Sequence, residues 1–201
     1  MKRIAGIASV VVVVVVAALA LVTARAADLS QPVILVASQG LAGSPFEQAV
    51  VIATPLPNGG HIGFIVNRPT TVDLEAFLPD DAKPRGVKEP VYYGGPELTR
   101  GLFALMRNAP DVPVSAIPLL PGVVAIVDPS TVDHLIETMP NAARYFVGMM
   151  VWDAGELAQQ VTDGVWDVHP ADADSVLPAD APRLWSSLTG PMATIDRSSL
   201  D

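Results

Sequence analysis

Along the chain, short apolar runs alternate with polar segments rich in glycine and proline. VILVAS (33–38), opened by Pro32, is apolar almost throughout and predicts a strand buried on both faces. Gln39-Gly40 and Gly43-Ser44-Pro45 read as a loop. AVVIAT (49–54) predicts a second strand and HIGFIV (61–66) a returning one. Between them, Asn58-Gly59-Gly60 is hairpin chemistry, lengthened by Pro55 and Pro57. The returning run stops at Asn67-Arg68-Pro69. A proline disfavours the α conformation for its predecessor and cannot donate to a ladder. Thr70, with Asp73 three residues on, predicts the N-cap of a helix through Val72, Leu74, Phe77 and Leu78, ended by Pro79. Backbone chemistry thus accounts for Pro69 and Thr70, but it does not require the side chains of Asn67 and Arg68.

The charged stretch 80–89 reads as a surface loop, VYY (91–93) as a strand and Gly94-Gly95-Pro96 as a tight hairpin turn. GLFALM (101–106) and VVAIV (123–127) are further strands. Residues 108–121, with Pro110, Pro113, Pro118 and Pro121, predict an extended excursion or edge strand. Asp128-Pro129 opens a helix through Val132, Leu135, Ile136 and Met139. RYFVGMMVW (144–152) is a long strand, after which Asp153 and Glu156 form a capping box for a helix stopped by Gly164. VWDV (165–168) is a short strand, and Asp180-x-Pro182 opens a last helix. Strands in adjacent pairs with helices interspersed predict an α+β fold with mainly antiparallel pairing.

Composition changes this picture mostly at the N-terminus. The chain has 201 residues and is half hydrophobic, but residues 1–26 inflate that figure. Lys2-Arg3, an apolar stretch from Ile4 to Val22 with valine at 10–16, and Ala24-x-Ala26 follow the order of a secretory signal peptide. The apolar stretch is also long enough to span a bilayer, so an uncleaved signal anchor is the alternative. Residues 28–188 would then be a single domain outside the cytoplasm, in the periplasm or cell envelope, with a flexible tail at 189–201. The leader carries Lys2, Arg3 and Arg25 and no acids, so its removal leaves nine basic against 21 acidic residues, a net charge of −12. Such a chain repels phosphate backbones, and no basic cluster exists, which argues against nucleic acid as a partner. With no cysteine, thiolate metal sites and thiol nucleophiles are excluded.

The remaining chemistry is sparse. His61, His134 and His169 share no metal-ligand spacing, and Asp167, Asp172 and Asp174 read as solvated loop acids. No cofactor is implied. Ser38 lacks a nucleophile elbow and a sequence-evident base. Gly94-Gly95 has the composition of an anion-binding nest, but a hairpin turn accounts for it. Trp152, Trp166 and Trp185 suit either a pocket or a core. Arg68, at a strand end, suits a carboxylate clamp or a bond to loop carbonyls.

Three segments, in order, resemble the AlgH/YqgE family: VASQGLAGSPFEQAVVIA with GFIVNRPT, then VYYGGPELTRGLFAL, then RYFVGMMVWDAGELAQQVTDGVWDV. Gln39, Met149-Met150-Val151 and Glu156 depart from that family's pattern, as does the leader. The resemblance implies a complex α+β fold with a bifurcated, mainly antiparallel sheet, part of it barrel-like, surrounded by helices. It implies no established activity. A role in transcriptional regulation, suggested for some members, is opposed here by the leader and the charge. The readings carried forward are a non-enzymatic binding or interaction domain with a protein or small-ligand partner, and a hydrolase-like or ligand-binding enzyme. Either would use a cleft built from Ser38, Asn67, Arg68, Gly94, Gly95, Trp152 and Glu156. Membrane contact would come only through an uncleaved N-terminal segment.

N-terminal sequencing of the protein from the exported fraction should begin at Ala27. Met1 retained in the membrane fraction would mark the anchor, and Met1 in soluble cytoplasm would overturn export.

Overall fold

The computed structural model describes residues 28–77, 90–107 and 116–190. The expected leader, the loop at 80–89, most of the proline-rich excursion and nearly all of the tail lie outside these residues. Strands β1 (Val33–Ala37), β2 (Val50–Pro55) and β3 (His61–Ile65) form an antiparallel meander, with Val36 opposite Val50 and Val51 opposite Ile65. Asn58 closes the β2–β3 hairpin, its Oδ1 accepting the Gly60 N–H at 3.0 Å. The remaining strands are β4 (Tyr92–Tyr93), β5 (Glu97–Arg107), β6 (Ile117–Leu120), β7 (Val123–Ile126), β8 (Ala143–Trp152) and β9 (Trp166–Pro170). They join one sheet in the order β6-β7-β5-β8-β3-β2-β1-β9, with β4 added on β8. The sheet curls into a half-barrel, and Thr54 Oγ1 of β2 donates to the Leu119 carbonyl of β6 at 3.0 Å. The α+β, mainly antiparallel expectation is met.

Both faces of the sheet are covered, which is why its strands read as apolar runs rather than alternating ones. Ile34, Ile52, Phe64, Leu105 and Phe146 fill the concave side. On the convex side, Leu35, Val51, Ile65, Trp152 and Trp166 pack with Leu157 of helix α2 (Glu156–Thr162). Met106, Ile126 and Tyr145 pack with Leu135 and Ile136 of helix α1 (Pro129–Thr138). Burying one such side chain contributes about 1.5–3 kcal/mol. Strand β8 feeds all three clusters, through Phe146, Tyr145 and Met150. The buried Tyr145 hydroxyl has no hydrogen-bond partner, and burial pushes its phenol up to about 12.

The sheet bifurcates at β8. Phe146 pairs with Tyr92 on one edge, where β4 runs parallel, and with Phe103 on the other, where β5 runs antiparallel. The chain therefore crosses β8 between Gly94 and Glu97, so Gly94-Gly95-Pro96 is a crossover and not the expected hairpin turn. The crossing works because three glycines meet. A methyl group on Gly94 would strike the Gly148 carbonyl, and one on Gly148 would strike that of Gly95. Gly148 also adopts a φ of 73°. Rings ensheathe the crossing, with Phe64 5.9 Å from Phe103 and 5.7 Å from Phe146, and Tyr92 5.4 Å from Phe146. The Arg144 guanidinium lies 4.6 Å from the Tyr92 ring centre.

Several local expectations change. The helix expected from Thr70 is a short 3-10 turn, Leu74–Phe77. Thr70 instead continues the extended chain: its N–H donates to the Val91 carbonyl at 2.8 Å, and its hydroxyl donates to the same oxygen at 2.7 Å. A new strand partner outcompetes the cap. Gly155, at φ 83°, takes the cap position of α2 in place of Asp153. Glu156 keeps half of the box, accepting the Asp153 N–H at 3.0 Å. Gly164 does stop this helix, with Val165 N–H reaching back to the Gln160 carbonyl at 2.9 Å. The acids at 172–174 are solvated, as expected, but belong to a helix start and not to a loop. Asp172 caps α3 (Ala173–Val176), and Asp174 pairs with Arg107 at 2.6 Å. The last helix begins as a 3-10 turn at Ala181–Arg183 and continues as α4 (Leu184–Thr189) without a side-chain cap from Asp180.

Two alanine variants separate conformation from contact. Gly148 and Gly164 have similar positive φ values, 73° and 71°, but nothing lies near a Cβ at Gly164. Gly164→Ala should cost about 1–2 kcal/mol for the left-handed conformation alone. Gly148→Ala should cost at least about 2 kcal/mol more, from the backbone collision. Equal costs in denaturant melts would mean that the chains do not cross in contact.

Candidate functional site

Two polar side chains, Asn67 and Arg68, stand at the hinge after β3. Asn67 is 8 % exposed, and its side chain imitates a strand. Its Oδ1 accepts the Val50 N–H at 2.9 Å, and its Nδ2 donates to the Gln48 carbonyl at 2.8 Å. Arg68 extends the grip, Nη1 donating to the Pro45 carbonyl and Nη2 to the Glu47 carbonyl, the latter at 2.6 Å. Together these side chains hold the entry to β2, including Gln48 at a φ of 57°. Partial burial lowers the Arg68 pKa from its ordinary value, opposed by the nearby Tyr93 and Glu47. The main chain of the hinge is also engaged: Arg68 O accepts the Tyr93 N–H and Ile65 N–H donates to Gly94 O, both at 2.9 Å. NRPT is thus where one strand exchanges its partner, β2, for the chain around β4.

Ser38 lies at the same end of the sheet, its N–H donating to the Val165 carbonyl at 3.1 Å. Its hydroxyl makes no cap bond to the short turn it opens. The N–H of Gly94 donates to the Val147 carbonyl at 2.8 Å, so it is not directed outward as a nest requires. Trp152 and Glu156 lie elsewhere. Trp152 pairs with His61, at the far end of β3 from Asn67. The six residue steps from His61 to Asn67 span roughly 20 Å, at about 3.3 Å per residue. Ser38, Asn67, Arg68 and Gly94 therefore share one end of the sheet, and the backbone of Trp152 lies at the other.

Sequence reading missed Gln160. Its Oε1 accepts both the Trp152 indole, at 3.0 Å, and the Trp166 indole, at 2.8 Å, while its Nε2 donates to Glu156 at 3.3 Å. A helical glutamine four residues after Glu156 and flanked by two tryptophans was the available signal. It also missed His61, which lines a cavity of about 580 Å³ with Leu29, Leu56 and Ala158. Among the described residues, no three His, Asp or Glu side chains converge as a metal site, and no helix is long and apolar enough to cross a membrane.

A curled α+β sheet whose strand changes partner at an N-R-P hinge, with a Gly-Gly-Pro crossover, defines the class. The AlgH-like family model matches residues 34–194, and the chain belongs to that family. A UPF0301 protein of Streptomyces coelicolor is 31 % identical over 159 residues, covering 76 % of this chain and 81 % of that one. One of Chlorobaculum parvum is 31 % identical over 157 residues with the same coverage. Among solved structures, a Corynebacterium diphtheriae protein aligns with TM-score 0.62 at 21 % identity, covering 82 % of this chain and 88 % of its own. The AlgH protein from Pseudomonas aeruginosa aligns with TM-score 0.60 at 23 % identity, covering 83 % and 95 %. Both show the shared fold.

Asn67→Ala should destabilise by about 1–3 kcal/mol, because it strands the Val50 N–H and the Gln48 carbonyl. Arg68→Lys should also lower the melting temperature, since one ammonium does not span both loop carbonyls. An unchanged melt for Arg68→Lys would free the guanidinium for a ligand and refute the clamp.

Proposed function

We propose that this chain is a non-enzymatic binding or interaction domain of the cell envelope. The observation that carries the reading is where the polar side chains at the hinge are spent. Asn67 and Arg68 bind the main chain between Pro45 and Val50. Glu156 is likewise bound to Asp153 N–H and Gln160. A group tied to its own backbone is a poor acid, base or anchor for a reacting substrate, since chemistry needs groups within reach of the reacting atoms. No hydrogen bond joins Ser38 to Glu156, whose carboxylate is engaged at Asp153 N–H and Gln160. Export rests on the leader, and the acidic exported portion disfavours the regulator reading.

Two assays test this together. The purified protein should show no salt-sensitive binding to duplex DNA, because it has few cations with which to release phosphate counterions. It should also show no turnover of activated esters that Ser38→Ala abolishes. Micromolar or tighter duplex binding would install the regulator reading, and Ser38-dependent turnover the hydrolase reading.

A further inference from the structure

The sheet ends in two terminal strands, β6 and β9. The Leu119 carbonyl of β6 is engaged by the Thr54 hydroxyl of β2. Strand β9 pairs with β1 and, among the described residues, with no other strand. An open edge is a template for one more strand.

The register shows which main-chain groups of β9 face outward. Ser38 N–H donates to the Val165 carbonyl, and Ala37, next in β1, lies opposite Trp166. Ala37 turns its own N–H to the Ala49 carbonyl and its carbonyl to the Trp185 indole, so it has none left for Trp166. Bonded and non-bonded pairs alternate along an antiparallel ladder. Asp167, opposite Val36, and His169, opposite Ile34, therefore bond to β1, and Trp166, Val168 and Pro170 turn their groups away. Trp166 is buried and Pro170 has no N–H. Val168, half-buried, is left as the position with both a donor and an acceptor to offer. Asp167, exposed, and His169, half-buried, flank it on one face of the sheet. Neither side chain has a hydrogen bond or ion pair among the described residues.

These three residues complement themselves under a two-fold axis. With the axis on Val168, its N–H and C=O exchange bonds with those of a second copy. Each Asp167 then lies opposite His169 of the second copy, in the kind of pair where side chains stand closest. An axis on Asp167 would set two carboxylates against each other and would need the buried Trp166. An axis on His169 would aim the Val168 carbonyl at Pro170, which has no N–H. We propose that two copies of this chain join edge to edge through β9, with Val168 at the axis and a hydrogen bond from His169 to Asp167 on either side of it. So short a contact is weak, with a dissociation constant on the order of 0.1 mM. Self-association goes beyond the binding-domain reading and does not depend on it.

The test is sedimentation of the protein as cells produce it, up to about tenfold above that constant, with amide hydrogen exchange followed by NMR over the same range. A monomer–dimer equilibrium should appear, and exchange at the Val168 amide should slow as the dimer fills. The amides of Asp167 and His169, already bonded to β1, should be protected at every concentration. Val168→Pro leaves the ladder to β1 intact, since that N–H faces away from it, and should weaken the dimer at least about tenfold. His169→Asp sets carboxylates opposite each other and should also weaken it. The exchange Asp167→His with His169→Asp restores the pair at unchanged net charge and should restore the dimer. A monomer throughout the range, or a dimer whose Val168 amide exchanges as fast as in dilute protein, would overturn the proposal. So would a dimer that survives in folded Val168→Pro, or one that His169→Asp leaves intact. Such a failure closes this edge only; duplex binding or Ser38-dependent turnover would instead sink the binding-domain reading, whatever the edge does.

Discussion

The structure depends on one contact between two stretches of backbone. The chain from β4 to β5 passes over β8 where Gly94 and Gly95 meet Gly148, with no room for a side chain on either partner. Because of that crossing, β8 holds β4 parallel on one edge and β5 antiparallel on the other. The same strand supplies side chains to the concave core and to both convex clusters. Packing the three glycines closely thus sets where β4 and β5 lie on β8. The cluster of Phe64, Phe103, Phe146 and Tyr92 then excludes water from the crossed backbones, which strengthens their hydrogen bonds.

The hinge solves the complementary problem. When β3 leaves β2 for the chain around β4, the entry of β2 loses its ladder partner. Asn67 supplies a donor and an acceptor in place of a peptide, and Arg68 supplies two donors more. Proline fits beside them because the partner exchange already interrupts the ladder at Pro69, where one isolated bridge to Tyr92 remains. The same polar residues that suggest a binding cleft in the sequence are therefore explained by a change of strand partner.

What was legible in the sequence follows from the range over which each feature is determined. The strands 33–38, 49–54, 61–66 and 144–152 announced themselves because burial on both faces makes continuous apolar runs. The cap of α1 was legible too, since Asp128 acts on Thr131 three residues away. Thr70 misled because its local signal, an N-cap, was overridden by Val91, a partner 21 residues distant. The Gly-Gly-Pro crossover has the composition of a turn, and only Gly148 across the strand distinguishes the two. The candidate residues come from separate motifs, and nothing in the sequence says that Trp152 pairs with His61, at the far end of β3 from Asn67. His61 carried no spacing signal, since the residues lining the cavity come from three separate segments, 29–30, 55–61 and 155–158.

The pairing of β1 with β9 has a kinetic side. Val33 faces Pro170, and Trp185 of α4 donates its indole hydrogen to the Ala37 carbonyl at 3.0 Å. The first strand to emerge during synthesis is thus completed by nearly the last. Contacts of such large sequence separation close slowly, because loop entropy must be lost before they form. β8, the strand that the crossover straddles, is also late. Until about residue 152 the crossover lacks the strand it is laced around, and until about residue 170 β1 lacks the neighbour that covers its edge. A nascent chain of this topology stays open for most of its synthesis. In an exported chain of this topology, such a delay would favour delivery to the membrane before the fold closes.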